Sequence, residues 1–252
     1  MKSITILVSA LNEEPVLRRV AKEILQQVGA YFTEYEVLLI DDGSTDRTGE
    51  IMESLAHEHP RVRVIHNPRN LGLGASYQRG VAEARCEYLM LLCGDGGMPS
   101  ASLPPIFARV GEADIIIPCM TNLKVIKTPM RYALSRTYTT LLNSLFGLRL
   151  KYYNGLPVHR TRLLRELRIT SSGFGFQGEI LVKLIKSGCT FSEVSVKGAE
   201  ETRRSFALRP RNIASVAMTF AHLIFEIARF RPIPAQTIEA ARRTADLVHF
   251  ES

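Results

Sequence analysis

The chain has 252 residues, 46% of them hydrophobic, with 32 Lys and Arg against 25 Asp and Glu. That length and composition suit one large α/β domain with a sizeable core and exclude a disordered or low-complexity chain. The net charge of +7 favours phosphate-bearing partners. The scattered Cys86, Cys93, Cys119 and Cys189 have no metal-binding spacing and suit a reducing, cytoplasmic setting.

The first apolar run, Ser3 to Ser9, is β-branched and reads as a strand. It is too short for a signal peptide and is cut off by Asn12-Glu13-Glu14. Asn12 is placed to cap the next helix, with Pro15 in its first turn and Val16, Leu17, Val20, Ile24, Leu25 and Val28 as its apolar face. Strands follow at Tyr35 to Ile40, Val62 to His66, Tyr88 to Cys93 and Asp114 to Pro118. Helices lie between them at Thr48 to His57, Ala75 to Ala84 and Ser102 to Val110. Strands alternating with helices imply parallel pairing, and their continuous apolar cores imply a sheet covered on both faces.

The second half changes character. Thr121 to Lys151 reads as helical and basic, with Lys124, Lys127, Arg131, Arg136, Arg149 and Lys151 flanking Leu141, Leu142, Leu145 and Phe146. A short helix at about Arg160 to Glu166 precedes a glycine-rich loop, Ser171 to Glu179, that enters another helix. Thr190 to Lys197 reads as a strand and Glu200 to Arg211 as a charged loop. Ile213 to Phe230 is the most apolar helix, stopped by Pro232 and Pro234, and suits an interfacial, core or dimer helix. No stretch reaches the length of a membrane span. The organisation expected is a domain over 1–212 with a helical appendage over 213–252.

The chemistry gathers at strand exits. Asp41 and Asp42 end the second strand in Asp-Asp-Gly-Ser-Thr-Asp46, where an open α/β sheet holds its ligands. A plain turn with Asp46 as helix cap explains Asp46 but not the pair before it. Asn12-Glu13 and Gly94-Asp95 end two other parallel strands and so share that edge. Gly72 and Gly74 open a helix whose free N–H groups could meet an anion, though an ordinary left-handed loop and cap reads equally well. Carboxylates beside an anion site suit a nucleoside diphosphate, bound directly or through a divalent cation. No nucleic-acid motif is present, and Trp is absent.

Together, Asn12-Glu13, Asp41-Asp42-Gly-Ser-Thr-Asp46-Arg-Thr, Asn70-x-Gly72-x-Gly74-Ala75 and Asp95 with Pro99 resemble the family-2 glycosyltransferases of the GT-A fold. Gly-Phe-Gly-Phe-Gln177-Gly-Glu179 and Arg203-Arg204-Ser205 extend the resemblance, which runs from about residue 3 to about residue 212. The layout is most similar to polyprenyl-phosphate sugar transferases of the dolichyl-phosphate mannose synthase kind. The resemblance implies a GT-A-like, Rossmann-like, mostly parallel sheet flanked by helices. It also implies inverting transfer from a UDP- or GDP-sugar to a lipid phosphate or a glycan, with the protein peripheral at the cytoplasmic face of the membrane. Glu13, Ile40 (through its backbone) and Asp42 are expected at the base and ribose, and Asn12, Asp41, Gly72, Gly74 and Gly94 elsewhere in the nucleotide-sugar site. Asp95 is expected at Mg²⁺ or Mn²⁺. Arg136, Arg203 and Arg204 are expected at phosphates, and Gln177 and Glu179 near the sugar or acceptor.

The sequence departs from the family pattern at Cys93, where the first aspartate of the D-x-D motif is expected, and at Gly97 and Phe206. The cation site therefore keeps one obvious carboxylate. Cys93 reads as a strand residue, and His66 and His159 as packing or surface residues, with a phosphate within reach of His159. A phosphate acceptor, with a second pKa of about 6, needs no strong base. A hydroxyl acceptor does, and Glu179 is the candidate, unless it merely favours the helix dipole. Transfer to a hydroxyl and a catalytically weak nucleotide-sugar-binding protein are the alternatives. Whether the chain forms a homo-oligomer is left open.

Overall fold

A computed structural model describes residues 2–171, 175–198 and 223–247, with side chains through 243. The strands are β1 (Ser3–Ala10), β2 (Glu34–Asp41), β3 (Val62–His66), β4 (Tyr88–Cys93), β5 (Ile115–Met120), β6 (Val158–Arg160) and β7 (Phe191–Val196). They form one sheet in the order β3-β2-β1-β4-β6-β5-β7. The helices are α1 (Leu17–Tyr31), α2 (Thr48–Glu58), α3 (Leu73–Glu83), α4 (Leu103–Phe107), α5 (Leu123–Ile126), α6 (Pro129–Phe146), α7 (Thr161–Arg165) and α8 (Phe176–Lys186), then α9 over 223–229 and α10 (Ala235–Leu247).

Successive strand residues point to opposite faces, and both faces are apolar here. Ile4, Ile6, Val8, Leu39, Met90 and Leu92 pack against α1, α2 and α4 in one cluster. Leu7, Leu38, Ile40, Leu89, Leu91 and Ile117 pack in a second cluster with α3, α6, α7 and α8. Leu223 and Ile227 of α9 and Ile238 and Ala241 of α10 belong to this second cluster. Arg242 also ties α10 to the buried Asp114, with Nη2 at 2.7 Å and Nε at 3.1 Å from its carboxylate oxygens. This is the mixed α/β layering expected of a GT-A-like domain. Among the described residues no helix is long and apolar enough to cross a membrane.

β1 pairs in parallel with both β2 and β4. The chain winds from β1 out to β3, then returns to place β4 on the other side of β1. That reversal makes the β1/β4 boundary the topological switch point, where the carboxyl ends of the strands leave a crevice.

The structure adds one strand to the sequence reading. β6 has three residues and runs antiparallel between β4 and β5. Three residues carry too little alternation to register as a strand. The helical reading of 121–151 divides into α5 and α6, with Thr128 extended before Pro129, as proline demands of its predecessor. The Ser102–Val110 helix shortens to α4 behind a single 3₁₀ turn, Ser100–Ser102. Residues 213–222 of the apolar helix, the charged loop from 200 to 211 and 172–174 of the glycine-rich loop lie outside the described residues.

Candidate active site at the β1 and β4 exits

The three strand exits are closed onto one another by main-chain bonds. Asp42 N donates to Ala10 O at 2.9 Å, and Gly94 N donates to Ser9 O at 2.9 Å. Gly94 is needed here because a Cβ on it would meet Ala10 Cβ at 2.6 Å. Its part is therefore to close the exits, and its N–H is not available to a diphosphate.

Beyond β1 the chain turns at Asn12, whose φ is 55°. The Asn12 side chain does not cap α1, whose first turn has no side-chain cap bond. Asn12 Oδ1 instead accepts from Thr45 N at 2.8 Å, and Asn12 N donates to Ser44 Oγ at 3.0 Å. Glu13 N donates to Thr48 Oγ1 at 2.8 Å. Asp46, by contrast, keeps its expected capping role, accepting the free N–H of Thr48 in the first turn of α2. It precedes Arg47, the residue flanking α2, and its carboxylate accepts from Thr48 N at 2.9 Å and Glu14 N at 3.2 Å. The Ser44–Thr48 turn is thus laced to the β1 exit, and Glu13 is held at the switch point.

Asp41 and Asp42 are both buried. Asp41 accepts from Ser44 N at 2.9 Å and lies 3.0 Å from His66 Nδ1, while His66 Nε2 lies 2.8 Å from Glu53. Burial alone would raise the Asp41 pKa, but hydrogen bonds from Ser44 and His66 outweigh it and hold the carboxyl below its ordinary value. Asp42 is more fully engaged. Its Oδ1 accepts from Asn67 Nδ2 at 2.8 Å, Leu71 N at 3.0 Å and Ser76 Oγ at 3.0 Å, and its Oδ2 accepts from Gly72 N at 2.9 Å.

This network corrects the expected anion site. Gly72 precedes α3 with φ 86°, a conformation that favours glycine, and its N–H serves Asp42 and also Asn70 Oδ1 at 2.9 Å. The negative charge that a helix N-terminus attracts is already supplied from within by Asp42. Gly74 is buried in the first turn of α3. A diphosphate at Gly72 and Gly74 would have to displace that carboxylate. Ile40 lies inside the ladder, in register with Ser9 and Ile65, with its side chain fully buried, so the expected contact through its backbone rests on the main chain alone.

Asp95 differs from the other carboxylates. It is exposed beyond β4, and its Oδ1 accepts only the N–H of Gly97 at 2.9 Å. Among the described residues its Oδ2 accepts no hydrogen bond. Between Asp95 and Glu13 lies Cys93, whose thiol is pushed up to about 12 by burial first and then by the negative charges of Asp95 and Glu13. Cys93 therefore remains a protonated thiol rather than a thiolate nucleophile. Glu13 follows β1 and Asp95 follows β4, and these strands pair in parallel from Ile4↔Tyr88 to Ser9↔Cys93, so both exits open on the β1/β4 boundary.

Among the described residues no group of three or more His, Cys, Asp and Glu could hold a metal ion. The donors present fit a hard cation that takes one carboxylate, from Asp95, and fills its shell with diphosphate oxygens and water, as Mg²⁺ does. They do not fit an all-protein cage.

Glu179 is not a base facing a cleft. It is fully buried in the first turn of α8, where its carboxylate accepts from Thr170 N at 3.0 Å, Ser171 N at 2.8 Å and Lys183 Nζ at 2.5 Å. Burial would raise its pKa, but the hydrogen bonds from Lys183, Ser171 and Thr170 prevail and lower it. The i, i+4 spacing of Glu179 and Lys183 was the sequence signal for this pair. Gln177 also turns inward. Among the described residues its Oε1 is buried without a partner, and it lines a cavity of about 10 Å³ with Tyr77, His159 and Phe176. His159 is fully enclosed, and burial pushes its pKa down to about 3, so it stays neutral and out of reach of a phosphate. Arg136 is exposed on α6. Arg203 and Arg204 lie outside the described residues. Sequence reasoning missed Asn67 and Ser76, the side chains that clamp Asp42; a polar residue directly after β3 was their one local signal.

Residues 5–169 match the model of the family described as Glycosyl transferase family 2. A dolichyl-phosphate beta-glucosyltransferase of Trichomonas vaginalis is 29% identical over 58% of this chain and 50% of its own length. An undecaprenyl-phosphate mannosyltransferase of Micrococcus luteus is 29% identical over 66% of this chain and 73% of its own. The chain thus spans half of the first relative and about three quarters of the second. Among solved structures, glucosyl-3-phosphoglycerate synthase from Mycobacterium tuberculosis in complex with UDP superposes with a TM-score of 0.66 at 16% identity, over 88% of this chain and 80% of that one. The same enzyme with Mn²⁺, UDP-glucose and phosphoglyceric acid superposes with a TM-score of 0.64 at 16% identity, over the same shares of both chains. At that identity the likeness is one of fold.

Proposed function

The chain belongs to glycosyl transferase family 2, and from that membership we propose that it transfers a sugar from a nucleoside-diphosphate sugar to a polyprenyl phosphate at a membrane surface. The observation that carries the acceptor class is the internal use of Glu179. A hydroxyl acceptor needs a base to take its proton, and the candidate for that role is buried, hydrogen-bonded three times and paired with Lys183. A phosphate monoester is largely ionised at neutral pH, because its second pKa is about 6. It attacks without a base. The names of the dolichyl-phosphate and undecaprenyl-phosphate relatives support the same acceptor.

In this reading the donor lies across the β1/β4 boundary. Glu13 meets the nucleoside from the β1 side, and Asp95 meets the diphosphate from the β4 side. The Gly97 N–H holds one Asp95 oxygen in place, and among the described residues the other accepts no hydrogen bond. Asp95 would hold a divalent cation there, which would supply positive charge to offset that growing on the diphosphate. An oxygen of the acceptor phosphate bonds to the anomeric carbon on the face opposite the leaving group. The bond from that carbon to the β-phosphate oxygen breaks with its electron pair, and the configuration inverts. Arg136, with Arg203 and Arg204, adds positive charge near the phosphates.

Calorimetry with UDP- and GDP-sugars, with and without Mg²⁺ or Mn²⁺, followed by transfer of labelled sugar to polyprenyl phosphate or to soluble glycans, tests this. The expected result is cation-dependent donor binding and a labelled polyprenyl-phosphate sugar. Transfer to hydroxyl acceptors alone would overturn the acceptor, and donor binding without turnover on either would make the chain a nucleotide-sugar-binding protein.

A further inference from the structure

α6 is built with two apolar sides. Leu142 and Thr139 are buried, and Tyr132, Tyr138 and Phe146 pack against the core cluster. At 3.6 residues per turn, Met130, Leu134, Leu141 and Leu145 fall within about 60° of one another on a different face. All four are exposed, at 51%, 41%, 42% and 48%, and Val125 of the neighbouring α5 is 78% exposed. The core gains nothing from this stripe. An aliphatic row of this kind marks a surface that meets something apolar.

The charge around it narrows the choice. Between Asp114 and Glu166 the sequence has no acidic residue, while Lys124, Lys127, Arg131, Arg136, Arg149 and Lys151 fall in that interval. Lys124 on α5 and Arg149 just beyond α6 are exposed, and among the described residues neither makes an ion pair. A second copy meeting this face would set Lys124 and Arg149 against Lys and Arg, because the Glu193 carboxylate beside this stretch is already paired with Lys151 at 3.2 Å. A nucleic acid would leave the aliphatic row unpaired. A surface that is apolar beneath and anionic above satisfies both features.

We propose that the exposed face of α5 and α6 docks the protein on an anionic lipid surface, with Val125, Met130, Leu134, Leu141 and Leu145 entering the headgroup boundary and the basic side chains lying among lipid phosphates. The face acts on the bilayer itself, so it stands apart from the identity of the acceptor.

The test is co-sedimentation of the full chain with vesicles of phosphatidylcholine alone or mixed with phosphatidylglycerol. Binding is expected with the mixed vesicles, weak with phosphatidylcholine alone, and falling as NaCl is raised. Leu134→Ser with Leu141→Ser is expected to weaken it about tenfold or more, and Lys124→Glu with Arg149→Glu to weaken it comparably. The melting transitions of both variants, and transfer by the leucine pair to a short, water-soluble prenyl phosphate, are expected to stay unchanged. No binding by the unaltered chain, or equal binding by both variants, would overturn the proposal. So would a drop in melting temperature in the leucine pair with vesicle binding kept by the charge pair, which would show that the chain itself covers the face. Loss of a dimer on substitution, without vesicle binding, would assign the face to a second copy. None of these outcomes touches sugar transfer to the soluble acceptor, which tests the acceptor reading separately.

Discussion

The Asp42 carboxylate accepts the main-chain N–H of Gly72 at 2.9 Å, so a carboxylate expected at a ligand fills the end of α3 where an anion was expected. Two candidate ligand residues satisfy each other. Asp42→Ala is expected to leave the N–H groups of Leu71 and Gly72 and the side chains of Asn67 and Ser76 without their shared acceptor. Each buried donor left unpaired costs about 1–3 kcal/mol, so urea denaturation is expected to show a loss of at least about 2 kcal/mol. A variant as stable as the parent would return Asp42 to a purely ligand-binding role.

Asp95 is expected to behave in the opposite way. It is exposed and among the described residues holds only Gly97 N, so Asp95→Ala is expected to change the melting temperature little. Transfer is expected to fall by about 100-fold or more, in line with the loss of one electrostatic contact to a developing charge. The cation dependence of donor binding is expected to disappear with it. Transfer that survives the substitution would move the cation elsewhere.

Glu179 offers a pH test. Its pKa in the folded protein lies below the ordinary 4.5. Its contribution to stability is therefore fully present above that value and is lost as pH falls through the folded one. Removing one partner of a buried pair costs about 3–5 kcal/mol, so Glu179→Ala is expected to destabilise strongly. Its excess instability relative to the parent should shrink as pH drops below about 4.5. Denaturation curves at pH 7 and below pH 4 check this. If instead Glu179→Gln kept the parent's stability but abolished transfer to a hydroxyl acceptor, Glu179 would be the base after all.

His66 has the reverse sign. Hydrogen bonds that its ring N–H groups donate to Asp41 and Glu53 raise its pKa above 6.5. The contribution of its protonated form is present below 6.5 and is lost as pH rises through the folded value. A titration of the imidazole followed by NMR is expected to show a midpoint above 6.5, and Asp41→Asn is expected to lower it.

Cys93 is expected to be inert. With its thiol pushed up to about 12, alkylation by iodoacetamide at pH 7.5 should be slow in the folded protein, and Cys93→Ala should retain transfer. Rapid alkylation with loss of transfer would give the thiol a direct part in catalysis.

Much of the fold was legible because its signals are local. The apolar runs of β1 to β5 and β7 and the 3.6-residue spacing in α1 are written within a few residues, and the elements formed close to their expected bounds. β6 was not legible. Val158-His-Arg160 is a strand only because β4 and β5 leave a gap between them for it.

By itself the sequence determined that carboxylates end β1, β2 and β4, and that these parallel strands bring them to one edge. It could not order the strands. Only the tertiary structure put β4 beside β1, which moved the crevice from the Asp41-Asp42 exit to the boundary between Glu13 and Asp95. Only it showed which carboxylates had spent their lone pairs. The donors to Asp42 include Asn67, Leu71, Gly72 and Ser76, at least 25 positions away, and those to Glu179 include Thr170 and Ser171 from another element. Hydrogen-bond satisfaction is a property of the closed, buried network. A carboxylate free for a ligand and one consumed by the fold look alike until the chain is folded around them.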